Sequence, residues 1–172
     1  MDPYESQFKL RIANSSYWHS KAGDLLISAK FLWEAMDSSD ANAVACWSSY
    51  KMLIGLSFEL LFKSISIQRG LNFSATHQLV DLANSANLKL TKGEEDILRV
   101  LTEYILWDGK YPVPHKKIHL ENHWKHENKV AYDSKKHGNL IFQRQNDKLD
   151  FDELAITWRK YSDIYMIEHT KR

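Results

Sequence analysis

The stretch Ala41–Gly70, ANAVACWSSYKMLIGLSFELLFKSISIQRG, decides the fold. Its apolar residues Val44, Trp47, Leu53, Ile54, Leu56, Phe58, Leu61, Phe62 and Ile65 fall on every side of a 3.6-residue period. The segment therefore reads as a central helix from near Ala41 to about Gln68, covered by other helices. Lys51, Glu59 and Lys63 interrupt it, which a lipid-facing span would tolerate only at high cost. Gly70 suits the left-handed position that ends such a helix, because it has no Cβ to clash there.

Working outward, Ala22, Leu25, Leu26, Ala29, Leu32, Trp33 and Met36 predict a first helix over Ser16 to Met36, followed by a turn at Asp37, Ser38, Ser39 and Asp40. A third helix is expected from Thr76 to Asn87, with Leu79, Leu82, Ala83 and Ala86 inward. Thr91 with Glu94 forms a capping box that starts a fourth helix near Lys92, which must end before Pro112 and Pro114. From Val113 to Leu149 apolar periodicity fades, so residues 113–149 read as a polar, His- and Lys-rich insertion, the most mobile part of the chain, with a short strand or turn around Asn139 to Phe142. Asp150 with Glu153 repeats the capping signal, and Leu154, Trp158, Tyr161 and Tyr165 stripe a last helix to about His169.

Composition agrees. Six Gly and three Pro in 172 residues are too few for the turns of a β-sandwich or barrel, while 44% hydrophobic residues suffice for a core. The expected fold is all-α: a single domain over residues 1–172, an up-and-down bundle of about five helices with a long insertion before the last. Lys plus Arg number 23 against 22 Asp plus Glu, which argues against a protein that wraps nucleic acid by bulk charge. The charge is uneven, however: residues 115–172 hold 12 basic and 9 acidic groups, residues 1–114 hold 11 and 13. The lone Cys46 cannot form an internal disulfide, and the opening MDPYESQFKLRIANSS shows no signal-peptide pattern, so a cytoplasmic protein without membrane anchorage is expected.

Three segments carry a resemblance. Gly55-Leu-Ser-Phe-Glu59-Leu-Leu-Phe-Lys63-Ser-Ile has small, acidic and basic residues four apart. His77-Gln-Leu79-Val-Asp-Leu82 is a short His-x-Leu-x-x-Leu pattern. Tyr104-Ile-Leu-Trp107-Asp-Gly-Lys110-Tyr111-Pro112-Val-Pro114 is an aromatic helix end followed by a basic residue, Tyr and Pro. In order and spacing they resemble the HEPN domain, a helical bundle widespread in prokaryotic toxin, defence and nucleotidyltransferase systems, over roughly residues 44 to 114. The resemblance implies a homodimer, with RNA, a nucleotide, or a nucleotidyltransferase or toxin-system protein as partner. Nuclease members carry Arg, four to six residues, then His; no such pair stands here, since Arg69 and His77 are separated by seven. The expected function is accordingly that of an accessory protein of a toxin–antitoxin or defence system that binds without robust catalysis. A divergent metal-independent RNase using Arg69 and His77 and a purely structural interaction module are the alternatives. No cofactor is expected.

Each candidate residue has two readings. Glu59 and Lys63, at i and i+4, either form a partly buried ion pair or border a phosphate pocket; both readings require them to touch. His77, placed at the start of the third helix, either closes the turn after Gly70 by bonding Glu59 or backbone, or serves as an acid or base. Trp107, Asp108, Lys110 and Tyr111 combine rings with a cation, as single-stranded RNA or a nucleobase requires, or they seal the bundle end. His115, His119 and His123 would line one side of a helix and could hold a metal ion, but no Cys accompanies them and a solvated loop is the simpler expectation.

Overall fold

The computed structural model describes residues 2–38, 43–138 and 140–171. Ser39, Asp40, Ala41 and Asn139, part of the expected turn, helix start and strand, lie outside them. Within them the chain is predominantly helical, with seven α-helices where about five were expected, and one two-stranded sheet. No helix of the described residues is long and apolar enough to cross a membrane.

Helices α1 (Pro3–Ala13) and α2 (Ser15–Asp37) are split at Asn14, whose side-chain oxygen accepts the Ser16 N–H at 3.0 Å. The sequence reading found α2 and missed α1, which starts on an Asp2 cap with Pro3 in its first turn but buries no residue. Tyr4, Phe8 and Ile12 recur there at i, i+4 and i+8, but none of them is buried. After one 3₁₀ turn (Ala43–Cys46), α3 (Trp47–Gln68) runs through the centre, with Tyr50, Lys51, Ile54, Phe58, Leu61, Phe62 and Ile65 fully buried. Val44, counted among the inward residues, is exposed. Fully buried Ala22 and Ala29 let α2 lie close along α3, and Ser57 Oγ donates to the Ala22 carbonyl at 2.6 Å. Gly70 ends α3 with φ +68°, as expected.

Helix α4 (Leu79–Ser85) is shorter than predicted and leaves His77 in the preceding loop. Helix α5 (Lys92–Glu103) opens on the predicted box, in which Thr91 Oγ1 accepts from the Glu94 N–H at 3.2 Å and Glu94 Oε2 from the Thr91 N–H at 2.7 Å. It continues into a π-helical turn (Tyr104–Asp108). Here α3 must carry glycine: a Cβ on Gly55 would stand 2.8 Å from Ile105 Cγ1 and 3.1 Å from the Leu101 carbonyl oxygen. The last helix, α7 (Phe151–Thr170), buries Leu154, Trp158, Tyr161 and Tyr165 as expected, but Asp150 caps it by position only, with no side-chain bond.

The insertion is the main correction. Residues 113–149 hold helix α6 (Lys117–Ala131) and an antiparallel hairpin, β1 (Tyr132–His137) with β2 (Leu140–Gln145), paired from Tyr132–Gln145 to His137–Leu140. Helix α6 has a 3.6-residue inward face, but His119, His123 and Glu127 occupy much of it, ahead of Val130 and Ala131. A search for apolar periodicity passes over a helix whose inner stripe is titratable.

Candidate functional site

The partners of that stripe come from α3 and the π-helical turn. Lys51, 1% exposed at its side chain, is held by a donor bond to Glu127 Oε1 at 2.7 Å and one to the Tyr104 hydroxyl at 3.0 Å. Its ammonium also lies 4.2 Å from the Trp47 ring centroid and 4.6 Å from that of Tyr104. Tyr104 donates to the same Glu127 oxygen at 2.8 Å. Burial pulls the Lys51 ammonium below its usual range against the opposing pull of Glu127. Burial pushes Glu127 up, but the charge and hydrogen bond of Lys51, with help from Tyr104 and His123, more than offset it, so the carboxyl titrates below its usual range. Burial, followed by the nearby Glu127 charge, raises the Tyr104 hydroxyl well above its ordinary value. The group is thus a fixed dipole whose anionic end alone reaches the surface, Glu127 being 25% exposed.

A π-helical turn carries one residue more than an α-turn, a feature enriched at functional sites. Here it sets Tyr104 and Trp107 edge-on around the His123 ring, at centroid distances of 4.9 and 5.3 Å. His123 Nε2 lies 3.3 Å from Glu127 Oε2, while its buried Nδ1 has no hydrogen-bond partner among the described residues. Trp107 Nε1 donates to Glu103 Oε2 at 3.2 Å, an oxygen that His119 Nδ1 also meets at 3.1 Å. Asp108 is fixed by the Ser48 hydroxyl at 2.8 Å.

Above this network lies a cleft of about 300 Å³ lined by Trp107, Asp108, His123, Trp124, Glu127, Asn128 and Tyr132. The Trp124 side chain is largely exposed. The groups offered to a ligand are aromatic faces, two carboxylates and an amide, with no Lys or Arg among the lining residues. That set suits a flat molecule bearing N–H donors.

The sequence-predicted residues divide. Trp107 and Asp108 line this cleft, whereas Lys110 and Tyr111 lie outside its lining, the Lys110 ammonium standing 5.8 Å from the exposed Tyr111 ring. Glu59 and Lys63 meet at 2.6 Å as both readings required, and Glu59 Oε2 lies 2.8 Å from His77 Nδ1, which is the turn-closing arrangement. Arg69 is instead clamped by Glu168, with Nε at 2.9 Å, and by the Ala86 carbonyl, so no bond joins it to His77. The three histidines do not converge: His115 is exposed ahead of α6, His119 faces Glu103 and His123 faces Glu127. Among the described residues no group of three or more His, Cys, Asp or Glu could hold a metal ion. Lys51 and Glu127 were not read as site residues. Their only sequence signal was a lysine within an apolar helix, which requires an anion from elsewhere in the chain. No family model, curated protein or solved structure matches the chain.

Proposed function

We propose that the protein is a HEPN-like accessory protein that binds a nucleotide or single-stranded RNA through a base held in the cleft between the π-helical turn and α6, without cleaving it. One observation carries this reading: the Trp107, Trp124 and Tyr132 rings share a small cleft with the Asp108 and Glu127 carboxylates, both held from beneath. The rings offer faces for stacking, and the carboxylates accept from exocyclic amino groups. The separate engagement of Arg69 and His77 supports the non-nucleolytic half of the proposal. A place in a toxin–antitoxin or defence system, beside a toxin or nucleotidyltransferase, rests on the sequence resemblance.

Trp124 makes the test direct. Titration with nucleoside monophosphates should quench its fluorescence, and Trp124→Ala should weaken binding, followed by calorimetry, by about tenfold, the usual worth of one stacked base. Lys110→Ala should leave nucleotide affinity unchanged. A folded protein that binds no nucleotide at millimolar concentration returns the reading to a structural interaction module. RNA cleavage in EDTA that disappears in both Arg69→Ala and His77→Ala would establish the nuclease instead.

The same proposal includes a homodimer. Helix α1 buries nothing yet carries exposed Tyr4, Phe8, Leu10 and Ile12, and Ile27 and Phe31 of α2 are also exposed. Sedimentation should give twice 20.2 kDa, and Phe8→Asp with Ile12→Asp should restore the single mass. A wild-type monomer at high micromolar concentration would remove the second copy from the proposal.

A further inference from the structure

The lining of the cleft is unbalanced between hydrogen-bond acceptors and donors. Glu127 Oε1 is occupied by Lys51 and Tyr104, but Oε2 meets only His123 Nε2, at 3.3 Å. Asp108 Oδ2 accepts from the Ser48 hydroxyl at 2.8 Å, and no hydrogen bond or ion pair engages its Oδ1 among the described residues. His123 also lines the cleft and is only 8% exposed. Its Nε2 faces the carboxylate, which places the ring proton there and leaves Nδ1 as a lone pair. That Nδ1 is buried and has no partner among the described residues. A buried acceptor left unpaired is costly, so it points to a donor brought from outside the chain. The donors of the lining are fewer: the Asn128 amide, the Tyr132 hydroxyl and the Trp124 indole N–H, the Trp107 N–H being spent on Glu103.

An excess of acceptors discriminates among the bases. On its pairing edge guanine presents two adjacent donors, the ring N1–H and the exocyclic amino group, beside one acceptor. Adenine presents one of each, and cytosine and uracil present more acceptors than donors. A carboxylate can take both guanine donors at once, one on each oxygen. The same approach would set a ring or carbonyl acceptor of any other base against a negative charge. Asp108 is the carboxylate placed for this role. It stands on the π-helical turn beside Trp107 and is anchored through Oδ2 alone, whereas Glu127 is spent on Lys51 and Tyr104 beneath the cleft. No Lys or Arg stands in the lining to hold a phosphate, so recognition falls to the base itself.

We propose that the cleft is selective for guanine, with Asp108 accepting from the N1–H and the 2-amino group while Trp124 stacks on the ring. This rests on the cleft binding a base, and the two claims fail separately. The probes are the monophosphates of guanosine, adenosine, cytidine, uridine and inosine, followed by calorimetry. Guanosine monophosphate should bind at least about tenfold more tightly than the adenosine, cytidine and uridine compounds. Inosine monophosphate keeps N1–H and lacks the 2-amino group, and should bind about tenfold more weakly than its guanosine counterpart. That comparison needs no variant. Guanosine without its phosphate should bind at least as tightly as the monophosphate. Asp108→Asn retains an oxygen for Ser48 but presents one donor and one acceptor, the complement of the adenine edge. It should weaken guanosine monophosphate by at least about tenfold and bind adenosine monophosphate more tightly than the wild type does, a gain that damage to the fold would not produce. Equal affinity for the four common monophosphates, or for the guanosine and inosine compounds, overturns guanine selectivity and leaves the cleft as a base site. So does a guanine preference that survives Asp108→Asn. Binding that requires the phosphate would move recognition to an anion site and overturn it too. Absence of binding by every nucleotide at millimolar concentration removes the base site itself. If N-acetylarginine amide then binds, and is lost in both Asp108→Asn and Trp124→Ala, the cleft belongs to a side chain of a protein partner and both claims fall.

Discussion

Two lysines of α3, Lys51 and Lys63, about 18 Å apart along its axis, each pair with a glutamate. Lys63 meets Glu59 of its own helix one turn away, and Glu59 turns its second oxygen to the half-exposed His77. The helix alone places these partners, so the pair forms wherever the helix does, and it closes a loop. Lys51 finds Glu127 only after α6 has docked, and both residues share the Tyr104 hydroxyl presented by the π-helical turn. The local pair is a staple. The long-range pair joins two elements and leaves its anion at the wall of a cleft.

The largest consequence of that difference should appear in stability. Glu127→Ala strands an ammonium 1% exposed beneath aromatic rings, and should cost about 3–5 kcal/mol in urea unfolding. Glu59→Ala strands Lys63, which at 11% exposure lies nearer to water, and should cost about 1–3 kcal/mol. An equal or reversed order would show that depth does not separate the pairs.

A smaller effect lies in pH. The folded Lys51 titrates below its unfolded value of 10.5, so between the two values the unfolded chain holds the extra proton and rising pH favours the fold. Stability should therefore climb as pH rises from the folded Lys51 value toward 10.5, until the tyrosines of the unfolded chain ionise, and Lys51→Met should flatten that climb. Glu127 has the opposite limb: its folded value is depressed, so its contribution is present above 4.5 and disappears as pH falls through the folded value. Retention of the alkaline climb in Lys51→Met would assign it to another group.

The hairpin extends the comparison. Lysines on helices α1, α2, α5 and α6 meet carboxylates three or four residues away, a spacing visible in the sequence. Lys135 and Lys136 lie in a strand, where that spacing brings no partner near, and no ion pair engages them among the described residues.

Some of this was legible from one chain, because it depends on residues within a turn or two of each other. The burial of α3, the stop at Gly70, the Thr91–Glu94 box, the stripe of α7 and the Glu59–Lys63 contact all belong to that class. Trp107 and Asp108, singled out for their chemistry, stand together in the lining of one cleft. What only tertiary structure decided is the identity of each distant neighbour. His119, His123 and Glu127 look like solvated residues until α5, the π-helical turn and α3 supply Glu103, Tyr104 and Lys51. Arg69 looks available for chemistry until α7 brings Glu168. A charged side chain is neutral about its own fate in sequence, since burial and partner together set its free energy, and both come from parts of the chain that only folding brings near.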